Sequence, residues 1–269
     1  MEEKWLVGVD LGGTTIKLAF INVYGEILHK WEIPTNTGEQ GKHITLDVAK
    51  AIDKKLEELG ELKSKLIGIG MGAPGPVHVA SGMIYEAVNL GWKNYPLKDL
   101  LEVETGLPVV IDNDANLAAL GEMWKGGGKG HDDLVAVTLG TGVGGGIIVQ
   151  GKLLAGATGA GGEIGHIHVE DNETDRCGCG KQGCLEQYGS ATGIVRIANR
   201  VLASTDEASV LRDGELSAKA VCDAAKAKDA VAIQIMEQFG AYLGRGLAAI
   251  ACVVNPEVFV IGGGVSKAG

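Results

Sequence analysis

From Val7 to Leu11 apolar residues alternate with small or polar ones, and the alternation resumes from Ile16 to Ile21 after the stretch Gly12, Gly13, Thr14, Thr15. A period of two is that of a half-buried strand and paired glycines mark a tight turn, so VGVDLGGTTIKLAFI predicts a β-hairpin. The pattern returns in VAVTLGTGVGGGIIV, residues Val135 to Val149, and the two segments align without a gap. Val7, Val9 and Leu11 fall on Val135, Val137 and Leu139, Gly12 falls on Gly140, and Ala19, Phe20 and Ile21 fall on Ile147, Ile148 and Val149. An offset of roughly 128 residues is too long for a solenoid. It predicts two related domains, each opening with a hairpin.

Helical spacing covers Ile44 to Leu59 and Ala115 to Trp124, and strands are expected at Leu66 to Met71 and Val109 to Ile111. GGGKGHDD, from Gly126 to Asp133, has no apolar period and reads as a loop, which places a domain boundary near Leu117 and divides the chain into 1–117, the smaller domain, and 118–269. Beyond it the pattern predicts a strand at Ile164 to Val169, helices at Ala191 to Leu202, Ser217 to Lys226 and Ala230 to Val254, and a strand at Val258 to Ile261 that runs into GGGVS. Such alternation builds an α/β fold, a sheet covered by helices.

Charge and composition narrow the ligand. The net charge of -10 lacks the massed Lys and Arg of a nucleic-acid surface, and the 43 glycines cluster at turns instead of following a fixed period, which suggests backbone approaching a small ligand. The acidic start MEEKWLVGVD and the absence of a long apolar run predict a cytoplasmic chain that does not engage a membrane. Five cysteines in a reducing compartment make disulfides a poor expectation. Cys222 and Cys252 lie in apolar helical surroundings and are expected to be buried packing residues.

Gly140, Gly142 and Gly145 satisfy the dinucleotide pattern G-x-G-x-x-G, but a β run follows them where that fingerprint needs a helix. No P-loop is present either. What remains is two turns, Gly12 to Thr15 and Gly140, Thr141, Gly142, whose N–H groups and threonine hydroxyls can hold phosphate; the plain alternative is two tight turns without a ligand. Asp10, at a strand end beside the first turn, is placed to hold Mg²⁺ or, alternatively, to cap the turn. Lys17 is either a phosphate contact or a solvated strand residue.

In DNDANLAALGEMW one of Asp112, Asn113 and Asp114 suffices to cap the following helix, and Asp114 is the candidate general base for an attacking hydroxyl. His166, Cys177, Cys179 and Cys184 make a complete tetrahedral zinc set with no position open for water, hence a structural ion. That staple brings Glu163 and Glu186 near each other. With Asn113 and the second ring nitrogen of His166 they suit the hydroxyls of a sugar; the alternative is that both glutamates are surface charges.

Together DLGGTTIK, DNDANLAALGE, LGTGVGGG, GEIGH, CGCGKQGCLE and VIGGGVS resemble the ROK sugar kinases over essentially the whole chain, and among them the bacterial glucokinases. The resemblance implies an actin-like (ribonuclease H-like) duplicated two-domain fold closing on ATP and a hexose, with Asp114 as base. It places Asn89, Asn113, Glu163, His166 and Glu186 on the sugar and Gly262, Gly263 and Gly264 at the adenosine. The implied reaction is phosphorylation of glucose at the 6-hydroxyl. Fructose, mannose or an N-acetylhexosamine are alternative acceptors, and a zinc-stapled sugar sensor without catalysis is the alternative outside enzymes. Family members are often dimers or tetramers, and those that repress transcription carry an N-terminal DNA-binding domain, whereas here the first strand begins at about Lys4. Relatives also continue past GGGVS with further helices, so C-terminal helices of the fold are expected to be missing from a chain ending at Gly269.

Overall fold

The first hairpin forms from β1 (Trp5–Leu11) and β2 (Thr15–Asn22), with β3 (Ile27–Pro34) added antiparallel to β2. The computed structural model describes residues 4–268, which divide into two compact units. One runs to Leu117 and takes in Ala155–Gly161; the other comprises Ala118–Leu154 and the chain from Gly162 onward.

In the first unit, α1 (Ile44–Leu59) precedes β4 (Leu66–Ala73). A small antiparallel sheet follows, made of β5 (Val77–His78), β6 (Met83–Ala87) and β7 (Trp92–Tyr95). Then come α2 (Leu97–Thr105), β8 (Val109–Asn113) and α3 (Asp114–Lys125), the last crossing the division between units. The main sheet has the order β3-β2-β1-β4-β8, and β4 runs parallel to both β1 and β8. Alternation in β1 sends Trp5, Val7, Val9 and Leu11 into the core, where Ile44, Val48, Ile52 and Leu56 of α1 meet them at helical spacing. Ile52 is fully buried, so Ile52→Ala removes about 2–5 kcal/mol through lost transfer energy and a cavity.

In the second unit β9 (Leu134–Leu139), β10 (Val143–Val149) and β11 (Lys152–Leu153) repeat the meander. They are followed by α4 (Ala191–Ser204), α5 (Ala218–Lys226), α6 (Ala230–Val254) and β12 (Val258–Gly262). The order β11-β10-β9-β12, with β12 parallel to β9, reproduces β3-β2-β1-β4. The repeat read from the apolar pattern is therefore a repeat of topology. Its ungapped alignment fails on the returning strand, however. Leu11 pairs with Ile16 and Val7 with Phe20, whereas Leu139 pairs with Val143 and Val135 with Ile147, so Phe20 corresponds to Ile147 and not to Ile148. The cause lies in the turns: Gly12 N–H donates to Thr15 O, but Gly140 N–H donates to Gly142 O, closing the second turn one residue sooner.

Two further expectations are corrected. Ile164 to Val169 is no strand; a 3₁₀ turn spans Ile164–His166, and the only pairing there is an isolated bridge between His168 and Cys184. A Cβ on Gly165 would stand 2.3 Å from Val143 O, and the backbone of Ile167 and Val169 bonds to Leu185 and Gly183, so the segment is tied to the cysteine loop and not to a sheet. Cys222 is buried, but Cys252 is exposed, because the outward face of α6 is apolar too and low polarity in sequence did not mean burial. Among the described residues no helix is long and apolar enough to cross a membrane.

Candidate active site

In the first unit the chemistry gathers where β1, β4 and β8 end. Asp10, Gly72 and Asp112 are register partners across these strands. A Cβ on Gly72 would lie 3.3 Å from the Asp114 Cα, so glycine there lets the start of α3 pack against β4. The three polar residues of the strand-to-helix corner divide their duties. Asp112 is buried and accepts from Asn113 N–H (2.7 Å) and from the Asn116 side-chain amide (2.9 Å). Asn113 is the cap, accepting from Ala115 N–H (2.9 Å) and Asn116 N–H (3.4 Å) while donating to Gly75 O (3.2 Å).

Asp114 keeps solvent access and accepts from Ala115 N–H at 2.8 Å. Loss of hydration around its carboxyl raises its pKa, the Asp10 charge adds to this, and the Ala115 N–H only partly offsets both. Asp10 itself is exposed and pairs with Lys17 Nζ at 3.3 Å. The lysine therefore neutralises this carboxylate instead of standing free beside the turn. Asn89 packs against Gly13, where an added Cβ would lie 3.6 Å from its own.

In the second unit the turn Gly140–Gly142 is gripped from behind by the residues that follow Cys184. Ala191 N–H donates to Gly140 O (2.8 Å) and Thr192 Oγ1 to Thr141 O (2.9 Å). Glu186 Oε2 accepts from Val143 N–H at 3.1 Å, and a Cβ on Gly142 would meet that oxygen at 2.2 Å. Gly142 is thus a glycine because a carboxylate occupies its side-chain space. Gly262 ends β12, and Gly263 at φ +93° brings backbone against Leu139 O, where a Cβ would stand 2.4 Å away.

The ligand atoms of His166, Cys177, Cys179 and Cys184 all lie within 4.8 Å of one another. Cys179 Sγ to Cys184 Sγ is 3.6 Å, as is Cys177 Sγ to His166 Nδ1. Tetrahedral bonds of ~2.3 Å to sulfur and ~2.0 Å to nitrogen give edges of about 3.5–3.8 Å, so the set fits zinc, and the 3.6 Å sulfur separation is far from a disulfide. Burial pushes the Cys184 thiol up to about 12 and the Cys177 thiol above its ordinary value, so a cation at the centre is what would make thiolates of them. Glu163 and Glu186 flank the cluster: Glu163 Oε2 is 4.0 Å from His166 Nε2, and Glu186 Oε1 is 3.9 Å from Cys177 Sγ.

The pattern of the ROK family matches residues 6–269. The chain belongs to the ROK family. A glucokinase of Halalkalibacterium halodurans is 54% identical over 273 residues, spanning 100% of this chain and 83% of that protein. A glucokinase of Thermotoga maritima is 39% identical over 274 residues, with 100% and 84% covered. The crystal structure of a ROK glucokinase from Streptomyces griseus in complex with glucose and AMPPNP superposes with a TM-score of 0.80 at 39% identity, covering 98% of this chain and 85% of that one. The ROK fold is the actin-like, ribonuclease H-like two-domain fold, of which the matching strand orders of the two sheets are the visible sign.

Within the first unit of this ROK chain Asn89 lies against the first turn beside Asp10, the Asp10 charge reaches Asp114, and Asn113 next to it is tied to Gly75 O; within the second Glu163, His166, Glu186 and the three cysteines gather, Glu186 against the second turn. Sequence reasoning missed the buried anchor of the cysteine loop. The Glu173 carboxylate, fully enclosed, accepts from Tyr188 Oη (2.6 Å), Arg196 (3.2 Å) and Arg200 (2.8 and 3.0 Å). Burial alone would raise its pKa, but the Tyr188 hydroxyl and the Arg200 guanidinium outweigh burial and bring it down to about 2. In sequence Glu173 stands in the polar run DNETDR; the one available signal was the pair Arg196 and Arg200 at helical spacing, which needs a shared acid.

Proposed function

We propose that this ROK chain is an ATP-dependent glucokinase, transferring the γ-phosphoryl group of ATP to the 6-hydroxyl of glucose. The observation that carries the proposal is the division of labour at Asp112–Asp114: Asp112 and Asn113 build the corner, and the exposed Asp114 with its raised pKa is left to take a proton. The 54% identity to a glucokinase supports the choice of sugar.

In the reaction the glucose O6 lone pair forms the bond to the γ-phosphorus while the bond from that phosphorus to the bridging β-γ oxygen breaks, its electrons leaving with ADP. The O6 proton passes to the Asp114 carboxylate, a contribution of about 10²- to 10⁴-fold in rate. A raised pKa makes that carboxylate a stronger base than an ordinary aspartate at neutral pH. The two glycine turns, with Thr14, Thr15 and Thr141, are proposed to hold phosphoryl oxygens, and Gly262, Gly263 and Gly264 to face the adenosine; positioning and electrostatics then supply most of the rate. Asp10 offers an exposed carboxylate oxygen of the kind Mg²⁺ takes, and the ion would neutralise phosphate charge there while Lys17 balances the same carboxylate in its absence. Asn89, Asn113, Glu163, His166 and Glu186 are proposed to bind the sugar hydroxyls, with the zinc ion a structural staple of the loop that carries the last three.

The test is coupled ADP release across glucose, mannose, fructose and N-acetylglucosamine. The proposal expects glucose to show the highest kcat/KM. No hexose-dependent ADP release would end it, and a higher value for another sugar would replace the substrate.

A further inference from the structure

The two phosphate turns differ in length, yet each is backed by a threonine outside the repeated segment. In the first unit Thr35, just after β3, donates its hydroxyl to Gly12 O (2.7 Å) and its N–H to Thr14 O (2.9 Å). In the second, Thr192 in the first turn of α4 donates its hydroxyl to Thr141 O at 2.9 Å, and its neighbour Ala191 donates N–H to Gly140 O at 2.8 Å. A trans peptide is planar, with its C=O and N–H pointing opposite ways. Pinning Gly12 O therefore aims the Gly13 N–H away from Thr35, and pinning Thr141 O aims the Gly142 N–H away from Thr192. Among the described residues nothing accepts from the N–H groups of Gly13, Thr14, Thr141 or Gly142. Adjacent free N–H groups in a turn form an anion-binding concavity.

We infer that Thr35 and Thr192 are positioning residues for the phosphoryl donor, each fixing the peptide plane whose free N–H meets a phosphate oxygen. Neither belongs to the repeat, and they reach their turns from different elements, a strand end and a helix start. The arrangement rests on the proposed use of ATP. Its energetic content is one hydrogen bond's worth of preorganisation per turn, an expected loss of about three- to tenfold in nucleotide affinity when the hydroxyl is removed.

The experiment compares wild type with Thr35→Val, Thr192→Val and the two serine variants in the full chain. AMPPNP binding is read by calorimetry, and KM for ATP and for glucose by ADP release. Each valine variant is expected to weaken AMPPNP and raise KM for ATP about three- to tenfold, with KM for glucose within twofold, and serine is expected to restore both. Valine variants that lose thermal stability while AMPPNP affinity stays within twofold, or that weaken glucose as much as nucleotide, would overturn the inference. Wild type that binds AMPPNP without phosphorylating glucose would defeat the kinase proposal and leave the AMPPNP comparison to decide this one. Wild type that binds no AMPPNP would defeat both.

Discussion

Two alanines placed two residues apart in one turn should fail in different ways. At Gly142 a Cβ would lie 2.2 Å from Glu186 Oε2 and 3.1 Å from its Cδ, while at Gly140 nothing lies within 4 Å of the added atom. In Gly142→Ala the flexible end of Glu186 must swing away, which breaks its bond to Val143 N–H. A hydrogen bond to a charged acceptor is worth about 1.5–3 kcal/mol, and 1.4 kcal/mol is a factor of ten. If Glu186 also binds sugar, kcat/KM for glucose should fall by about 10- to 150-fold. Gly140→Ala should keep the wild-type Tm, and its methyl should obstruct the phosphate instead, raising KM for ATP with little change for glucose. Steady-state kinetics in each substrate and thermal melts by circular dichroism separate the two. Gly142→Ala with glucose kcat/KM within twofold of wild type would refute the reasoning, because it would mean that the Glu186 position does not matter to the sugar.

Removing the charge at Asp10 with Asp10→Asn should lower the Asp114 pKa, since that charge helps to raise it, and move the acid limb of the kcat/KM profile to lower pH; an unmoved limb would detach Asp114 from it. Protein purified without added zinc should carry about one equivalent per chain by atomic emission, and Cys179→Ser should lower both the metal content and the Tm. Glu173 titrates at about 2 in the folded chain against 4.5 ordinarily, which stabilises the fold above the ordinary value and is lost as pH falls from about 5 toward 2. That shift corresponds to about 3 kcal/mol, so urea melts of Glu173→Gln should show a deficit of that order at neutral pH that closes in acid.

Much of the site was legible because its residues are dense in local signals. The turns announce themselves by glycine between alternating apolar runs, and the zinc set by cysteine spacing, both consequences of short-range geometry. The exact lengths of the two turns were not legible, since the second returning strand opens on Val143 followed by Gly144, Gly145 and Gly146, and these glycines carry no alternation that would fix its register against the first. The apolar residues Ile164, Ile167 and Val169 suggest a strand over Ile164 to Val169, although Gly165 is there for close packing on β10. Thr35, Thr192 and Glu173 were missed for a common reason: each acts through a contact distant in sequence, and a threonine or glutamate in a polar stretch looks the same whether it faces solvent or a buried carbonyl. Small β5 to β7 escaped because strands this short carry too few alternations to register.

The central claim is that Asp114 takes the glucose proton, and Asp114→Asn tests it most directly, because the amide keeps the shape and the Ala115 contact but cannot act as that base. Glucose affinity by calorimetry and turnover by glucose 6-phosphate formation should be measured on the same preparation. Binding retained within a few-fold and kcat reduced about 10²- to 10⁴-fold is the expected result. Turnover near the wild-type rate would contradict the account.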